Sequence, residues 1–227
     1  IRNDRVVWAT SMVASGDADG AVTGNTRRFG ASLEKIKQVV DVRDGEIMFG
    51  LNMVVHKGKT IFVGDTSVHE YPTSEQMAEI AISAARVVRL FGFEPKVAFV
   101  SHSTFGQPLT SRTKHIRTAV DILKEKKVDF EFDGDMQPDV ALNPEYEDLY
   151  PFSNIVGKAN ILIMPGQHSA AISYKMMKTL GDTKVIGPLL IGLGLPIEIA
   201  PLRSSTSELI NLASIAAYSA DVIDYKK

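Results

Sequence analysis

The chain has 227 residues, of which 25 are Lys or Arg and 27 are Asp or Glu, so its formal net charge is −2. This balance disfavours a nucleic-acid binder, which needs a clustered basic excess. Hydrophobic residues make up 44% of the chain, enough for a sizeable core. No apolar run reaches the roughly 20 residues of a membrane span. Cysteine is absent, which excludes disulfides and thiolate chemistry. We expect a cytoplasmic protein that binds neither nucleic acid nor membranes.

The first part of the chain predicts helices and strands of ordinary length. Because the sequence starts at Ile1 and enters a helical pattern at once, we interpret it as a fragment of a longer polypeptide. In chain order, the predicted elements are a helix over 6–13 that Gly16 ends, a strand over 18–23, a helix over 33–40 that Ser32 or Asn25 caps, and a hairpin of strands 47–56 and 60–64 joined by Lys57-Gly58-Lys59.

The second part alternates short apolar strands with amphipathic helices. Thr73 and Gln76 form a capping box that opens a helix through Leu90, and Gly92 ends it. The later elements are a strand over 97–101, a helix over 112–126, strands over 128–132 and 161–164, a helix over 169–180 that Gly181 ends, strands over 185–191 and 196–200, and a helix over 205–223. This alternation predicts an α/β protein with a mostly parallel sheet in three layers.

Ligands of such sheets bind where strands end and helices begin, and four loops fit that position. Each offers hydroxyls, histidines, glycines or a cation to an anion, although a helix cap or a turn would use many of the same residues. The candidate ligand-binding residues are Ser101, His102, Ser103 and Thr104 in the first loop; Pro165, Gly166, His168 and Ser169 in the second; Gly187, Pro188 and Gly192 in the third; and Arg203 and Glu208 in the fourth.

Other motifs are weaker. Asp133-Gly134-Asp135 resembles part of a calcium loop but lacks the remaining oxygen ligands, so we predict a surface turn there. The five histidines show no spacing typical of zinc ligands, and we expect no metal site. From the residues alone, the chain is an α/β protein that binds an anion or a nucleotide, with no assigned reaction.

Seven segments, in the same order along the chain, resemble the phosphate acetyl/butyryltransferase family. They include Gly-Asp-Ala-Asp-Gly at 16–20 and Ile-Gly-Pro-Leu-Leu-Ile-Gly-Leu at 186–193. The full set covers 16–24, 78–81, 94–103, 132–137, 157–165, 186–193 and 195–197.

The resemblance implies two intertwined α/β subdomains with a cleft between them, in the isocitrate dehydrogenase-like superfamily. On that basis we assign 1–40 and 190–227 to the first subdomain and 41–189 to the second, with an N-terminal part of the first apparently missing. The family transfers an acetyl group between coenzyme A and phosphate without a metal or a covalent intermediate.

The sequence departs from the family where catalysis is expected. Active members read Asn-Asp-Leu-Ser-Arg-Gly in the segment that here starts at Glu198, so Pro201 replaces the serine and Leu202 replaces the arginine. Glu208 occupies the position of the acid that helps to deprotonate the thiol. Losing a cation beside a developing charge lowers the rate by orders of magnitude. We expect no efficient transferase, unless Arg203 and Glu208 act in altered roles.

A degenerate domain of this kind resembles the C-terminal regulatory domain of bacterial NADP-dependent malic enzymes. The resemblance implies that acetyl-CoA is an effector or a substrate, that the domain forms a homodimer, and that NADP and a divalent metal bind only to upstream domains. An active phosphate acetyl- or butyryltransferase is the alternative, and a scaffold that only dimerises is a third hypothesis.

Overall fold

The structure is a computed structural model that describes residues 4–223 and 225. The chain folds into two compact units. Unit 1 comprises the described residues up to Leu51 and those from Ile186 onwards, and unit 2 is Asn52–Val185. The sequence places the subdomain boundaries at 40/41 and 189/190, whereas those of the structure lie inside two strands, at 51/52 and 185/186.

Unit 1 has a two-stranded parallel sheet packed against helices. Strand β1 (Ala21–Gly24) pairs with β8 (Ile197–Ala200), and helices α1 (Arg5–Ala14), α2 (Phe29–Ile36) and α7 (Thr206–Val222) pack around them. The core side chains that these elements bury include Val13, Leu33, Ile36, Ile199 and Leu212.

Unit 2 carries most of a six-stranded sheet with the order β5-β4-β6-β3-β2-β7. The bounds are β2 (Phe49–His56), β3 (Lys59–Gly64), β4 (Lys96–Val100), β5 (Glu131–Met136), β6 (Ile161–Ile163) and β7 (Thr183–Ile191). The neighbours β5, β4, β6 and β3 are parallel. The helices are α3 (Ser74–Leu90), α4 (Ser111–Lys126), α5 (Pro138–Leu142) and α6 (Gln167–Leu180), with a 3-10 helix at Pro144–Leu149.

Both faces of these parallel strands are buried, which explains why they read as continuous apolar runs. Val63, Ala98 and Leu162 belong to a core cluster on one face. The alternate residues Phe62 and Phe99 are also fully buried. The sheet therefore forms the middle layer of an α/β sandwich, and the predicted α/β class with a largely parallel sheet is confirmed.

Most predicted elements are present, with shifted ends. The capping box at Thr73 and Gln76 and the left-handed Gly92 are both observed. The predicted helix over 33–40 is α2, which begins at Phe29 after Arg28 rather than after Ser32 or Asn25, because four residues complete the turn out of β1. The short helices between Pro138 and Leu149 were missed by the sequence interpretation.

The strand predicted over 128–132 begins three residues later than expected, and the turn predicted at 133–135 was wrong. Strand β5 runs over Glu131–Met136 and contains the whole Asp133-Gly134-Asp135 motif, with Gly134 and Asp135 buried. Gly134 has a φ of 153°, and a Cβ there would lie 2.7 Å from the Phe99 carbonyl oxygen. Glycine thus allows β5 to lie close against β4 at a place where its polar sequence suggests a turn.

Candidate functional site

The four parallel strands of unit 2 end at the same edge of the sheet, which is where open α/β sheets bind ligands. Gly64 ends β3, Ile163 ends β6, Val100 ends β4 and Met136 ends β5. Two of the four predicted loops follow these strands, at 101–106 and 165–169. The other two predicted loops, at 187–192 and 201–208, belong to unit 1.

The loop after β4 is held by a buried carboxylate. The Ser103 hydroxyl donates a hydrogen bond to one carboxylate oxygen of Asp135, and the Gly106 N–H donates to the other at 3.0 Å. Ser101, Ser103 and Thr104 are buried, and the Thr104 hydroxyl accepts from the Gln137 N–H at 3.3 Å. Two of the three hydroxyls predicted to bind an oxyanion therefore bind β5 and the residue that follows it, while His102 is exposed.

A second buried carboxylate, not foreseen from the sequence, shapes the loop after β3. Asp65 accepts backbone hydrogen bonds from Ser67, Val68 and His69, at 2.8, 3.1 and 2.7 Å respectively. The Nδ1 of His69 also lies 2.7 Å from the Asp65 carboxylate. The signal was present, because an acid directly after a buried strand often closes an Asx turn.

The loop after β6 leads into α6, whose N-cap, Gly166, has no side-chain cap. The Ser169 hydroxyl donates to the Gly166 carbonyl at 2.8 Å, so it closes the first turn of α6. His168 is exposed and lies 3.2 Å from a Glu70 carboxylate oxygen. Pro165 precedes the cap and is half-buried.

An exposed aromatic and cationic cluster forms beside this helix N-terminus. The Tyr71 ring stacks on the His168 ring, with centroids 6.2 Å apart. The Arg112 guanidinium lies 5.9 Å from the centroid of the same Tyr71 ring. Such a cluster can stack on a flat group and attract an anion. Of its members, only His168 was expected from the sequence to bind a ligand.

In unit 1, the predicted glycine loop is largely strand. Gly187 and Pro188 lie inside β7, and the loop begins only after Ile191. Gly192 has a φ of 87°, and a Cβ there would lie 2.2 Å from the Ile47 carbonyl oxygen. Its own carbonyl accepts from the Arg43 N–H at 2.9 Å, so this glycine packs two backbone segments together.

The loop over 201–208 opens α7. Glu208 forms a capping box with Ser205, whose N–H and hydroxyl donate to the Glu208 carboxylate at 2.7 and 2.9 Å. Leu202 is 55% exposed. Arg203 has a φ of 61°, and its N–H donates to the Asn25 carbonyl at 3.0 Å. The Ser204 hydroxyl donates to the Pro201 carbonyl at 2.9 Å.

A basic cavity of about 440 Å³ lies within unit 1 at the end of β1. Its lining includes Arg5, Arg27, Asn25 and the half-exposed Trp8. The Arg27 guanidinium lies 2.8 Å from Asp4 and, chiefly through this hydrogen bond, lowers the Asp4 pKa. The Asn25 side-chain oxygen is buried, with no hydrogen-bond donor among the residues that the structure describes. The sequence analysis considered Asn25 only as a helix cap.

Unit 1 also holds a buried acid on β8. Burial raises the pKa of Glu198 to about 8. The Leu190 N–H donates to the Glu198 carboxylate at 2.9 Å, and this hydrogen bond partly lowers the same pKa. Burial also raises the pKa of Tyr225 to about 12, and Glu198 adds to that rise. Glu198 is therefore largely protonated at neutral pH, and it opens the segment in which the resemblance described above implies a catalytic motif.

Across residues 4–223 and 225, no three His, Asp or Glu side chains are placed to hold a metal ion. None of the helices described is long and apolar enough to cross a membrane.

Sequence comparison identifies the class of protein. The family described as Phosphate acetyl/butaryl transferase matches residues 1–217. The chain therefore belongs to the phosphate acetyl/butyryl transferase family, and the resemblance drawn from its motifs is confirmed.

The similar proteins include two kinds of enzyme, malic enzymes and phosphate acetyltransferases. The chain is 47% identical over 220 residues to an NADP-dependent malic enzyme of Rhizobium meliloti (strain 1021). The matched region covers 97% of this chain and 29% of that protein. It is 32% identical over 219 residues to the phosphate acetyltransferase of Bacillus subtilis (strain 168). That matched region covers 96% of this chain and 68% of the transferase. A phosphotransacetylase structure from Streptococcus pyogenes superposes with a TM-score of 0.88 at 29% identity, over 95% of this chain and 67% of that chain. The chain thus spans less than a third of the malic enzyme that it matches.

Proposed function

We propose that this chain is a catalytically degenerate phosphotransacetylase-like domain that binds acetyl-CoA, and that it regulates and oligomerises a multidomain NADP-dependent malic enzyme. The 47% identity to the Rhizobium meliloti enzyme supports this assignment. Under this proposal the domain takes no cofactor itself, and NADP and a divalent metal bind to other parts of a cytoplasmic enzyme. Its fold belongs to the isocitrate dehydrogenase-like superfamily.

The observation that carries the proposal is the state of the catalytic segment. Pro201 offers no hydroxyl, and Leu202 presents an apolar side chain, 55% exposed, at the position where the family resemblance implies an arginine. Glu208 accepts the capping hydrogen bonds of α7. Removing one preorganised donor from such a site costs about 10²–10³-fold in kcat, and here two groups are replaced.

The basic cavity of unit 1 supports an acyl-CoA ligand. Arginine suits phosphate oxygens because its planar guanidinium donates several hydrogen bonds, and coenzyme A carries phosphates. Arg5 and Arg27 line this cavity, and Trp8 offers an indole face to a flat base. The buried oxygen of Asn25 lacks a donor among the described residues, and an amino group of a ligand would supply one.

The exposed face of α6 bears on assembly. Of its fourteen residues α6 buries only Ala170, and the exposed Ile172, Met176 and Leu180 lie four residues apart on one face. A stripe of this kind is typical of a subunit contact, which supports a homodimer. A bound acetyl-CoA regulates the assembly only if it binds two conformations with different affinities.

An active phosphate acetyl- or butyryltransferase is the second candidate. Arg203, exposed and next to Leu202, favours it because it could supply the missing cation. The chain also covers 68% of the Bacillus subtilis phosphate acetyltransferase, which favours the same candidate.

The test is to titrate acetyl-CoA against the malate oxidation rate of the polypeptide that carries this domain. We expect the rate to respond to acetyl-CoA, and Arg27→Glu to raise the concentration needed by about tenfold, the effect of losing about 1.4 kcal/mol of binding free energy. Lys114→Glu, an exposed change on α4 outside the cavity, is the matched control. A rate that ignores acetyl-CoA refutes the regulatory role, and formation of acetyl phosphate favours the second candidate.

A further inference from the structure

A second cavity, of about 590 Å³, lies in unit 2 at the end of the sheet opposite the candidate loops. Lys59, Thr60 and Ile61 at the start of β3 line it, together with Lys158 and Ala159 just before β6. Since β3 runs over six residues to Gly64, the cavity and the carboxyl edge are separated by roughly 17 Å of strand. It is therefore distinct from the loops considered above.

The inner wall of this cavity is apolar. Val54, Ile61, Leu142, Ala159 and Met177 line it, and Val54 and Ala159 are themselves buried in the core of unit 2. Small-molecule sites typically enclose about 300–1,000 Å³ and are lined mainly by apolar side chains. The wall thus suits a flexible hydrocarbon chain and offers little to a polar one.

The rim of the cavity is basic. Lys59, Lys158 and His56 stand among its lining residues, which include no aspartate or glutamate. The Lys158 ammonium lies 2.8 Å from Glu147, so that charge is partly balanced. Lys59 is exposed, and its ammonium has no ion pair within the part of the chain that the structure describes.

The C-terminus of α6 carries a partial negative charge, which disfavours a bound anion at this rim only weakly. A helix C-terminus favours cations, and α6 ends beside the cavity at Gly181. Lys178 in its last turn already offsets that partial charge. One uncompensated ammonium beside an apolar chamber selects a ligand with one negative charge, because a dianion would need more donors than this rim supplies.

From this arrangement we infer that the cavity binds a monoanionic amphiphile, a medium-chain carboxylate. The hydrocarbon chain packs against Val54, Ile61 and Met177, and the carboxylate pairs with Lys59 at the rim. This site stands independently of the acetyl-CoA proposal, because no residue of unit 1 takes part in it.

The test is calorimetric titration of the full chain with decanoate, with decylamine and decanol as probes of the same length and different charge. We expect decanoate to bind at one site, and both other probes to bind at least about tenfold more weakly, since about 1.4 kcal/mol separates each tenfold step. Lys59→Glu weakens decanoate binding by a similar factor, whereas the exposed control Lys114→Glu leaves it unchanged.

A second variant tests the apolar wall. Ala159→Leu fills part of the chamber, so we expect this variant to prefer hexanoate over decanoate. If Ala159→Leu does not fold, the Lys59→Glu variant remains decisive. The inference is overturned if decanoate does not bind, if decylamine binds as tightly, or if Lys59→Glu leaves the affinity for decanoate unchanged.

Discussion

Asn52 is fully buried in β2, yet neither atom of its side-chain amide has a hydrogen-bond partner among the described residues. The Tyr174 phenol lies close to this amide. Burial raises the pKa of Tyr174, and the Asn52 side chain partly opposes that rise. A buried amide without partners costs about 1–3 kcal/mol. Asn52 thus weakens the core of unit 2 at one position.

We predict that Asn52→Leu, which keeps the side-chain size and removes the amide, raises the free energy of unfolding by about 1 kcal/mol in urea titrations. Asn160→Leu is the matched control and should destabilise, because the Asn160 amide bonds the Lys96 N–H and the Glu94 carbonyl, both at 2.8 Å. A loss of stability in Asn52→Leu would contradict this prediction and would mean that the amide is hydrogen-bonded in the folded protein, with the Tyr174 phenol as the nearest candidate partner.

Restoring two family residues should not restore catalysis. The double variant Pro201→Ser with Leu202→Arg returns the expected hydroxyl and cation, but Glu208 still serves the cap of α7 and the buried Glu198 still stands at the start of the segment. We expect acetyl phosphate formation to stay orders of magnitude below that of an active family member assayed alongside. Turnover approaching that enzyme would show that the rest of the site is intact.

At the scale of elements, the Asp135 carboxylate of β5 supports the loop after β4, in addition to backbone hydrogen bonds from Ser101 and Phe105 to β5. Asp135→Asn keeps the shape but weakens the bonds to Ser103 and Gly106, so the free energy of unfolding should fall by about 1–3 kcal/mol. Hydrogen exchange at the Gly106 amide should quicken as the loop loosens. The control Asp121→Asn changes an exposed acid on α4 and should alter neither quantity. Unchanged exchange at Gly106 would contradict the role assigned to Asp135.

The element types could be predicted from the sequence because local signals agree with the fold. Thr73 with Gln76, and the Lys57-Gly58 turn of the hairpin, act over a few residues and are visible in the sequence. The position of β5 could not be predicted, because Gly134 and Asp135 of its polar Asp133-Gly134-Asp135 run are buried by contacts with residues more than thirty positions earlier. Tertiary packing there overrides local propensity.

The candidate site was harder to predict than the fold for the same reason. Loop positions at strand ends follow from topology, so the loops at 101–106 and 165–169 were placed correctly. Arg5 and Trp8 line a cavity with residues distant in sequence, and no local pattern marks them. Asp65 differs, because its partners lie two to four residues further on and its Asx turn could have been predicted. Hydroxyls such as Ser103 and Ser169 resemble ligand groups in sequence but are used within the fold.

At the scale of the whole molecule, Glu198 should make stability depend on pH. Its pKa is about 8 in the folded state against 4.5 ordinarily, so the unfolded chain releases a proton that the folded protein keeps between these values. The stabilisation is complete below the lower value and is lost as pH rises through the upper one, at about 1.4 kcal/mol per pH unit.

Urea titrations at several pH values across that window test this prediction. Glu198→Gln is neutral and retains an oxygen acceptor for the Leu190 N–H, so it should remove the slope. Glu125→Gln, an exposed change on α4, should leave the slope as it is. Equal slopes in wild type and Glu198→Gln would show that the carboxyl is ionised in the folded protein.

The proposed function requires that the domain binds acetyl-CoA but does not transfer its acetyl group. The most direct measurement is calorimetric titration of the full chain with acetyl-CoA, with a phosphate-dependent assay for acetyl phosphate on the same sample. We expect saturable binding without turnover, and a higher melting temperature with ligand, because a ligand of the folded state stabilises it. Acetyl phosphate formation at the rate of an active transferase, or the absence of any binding, would contradict it.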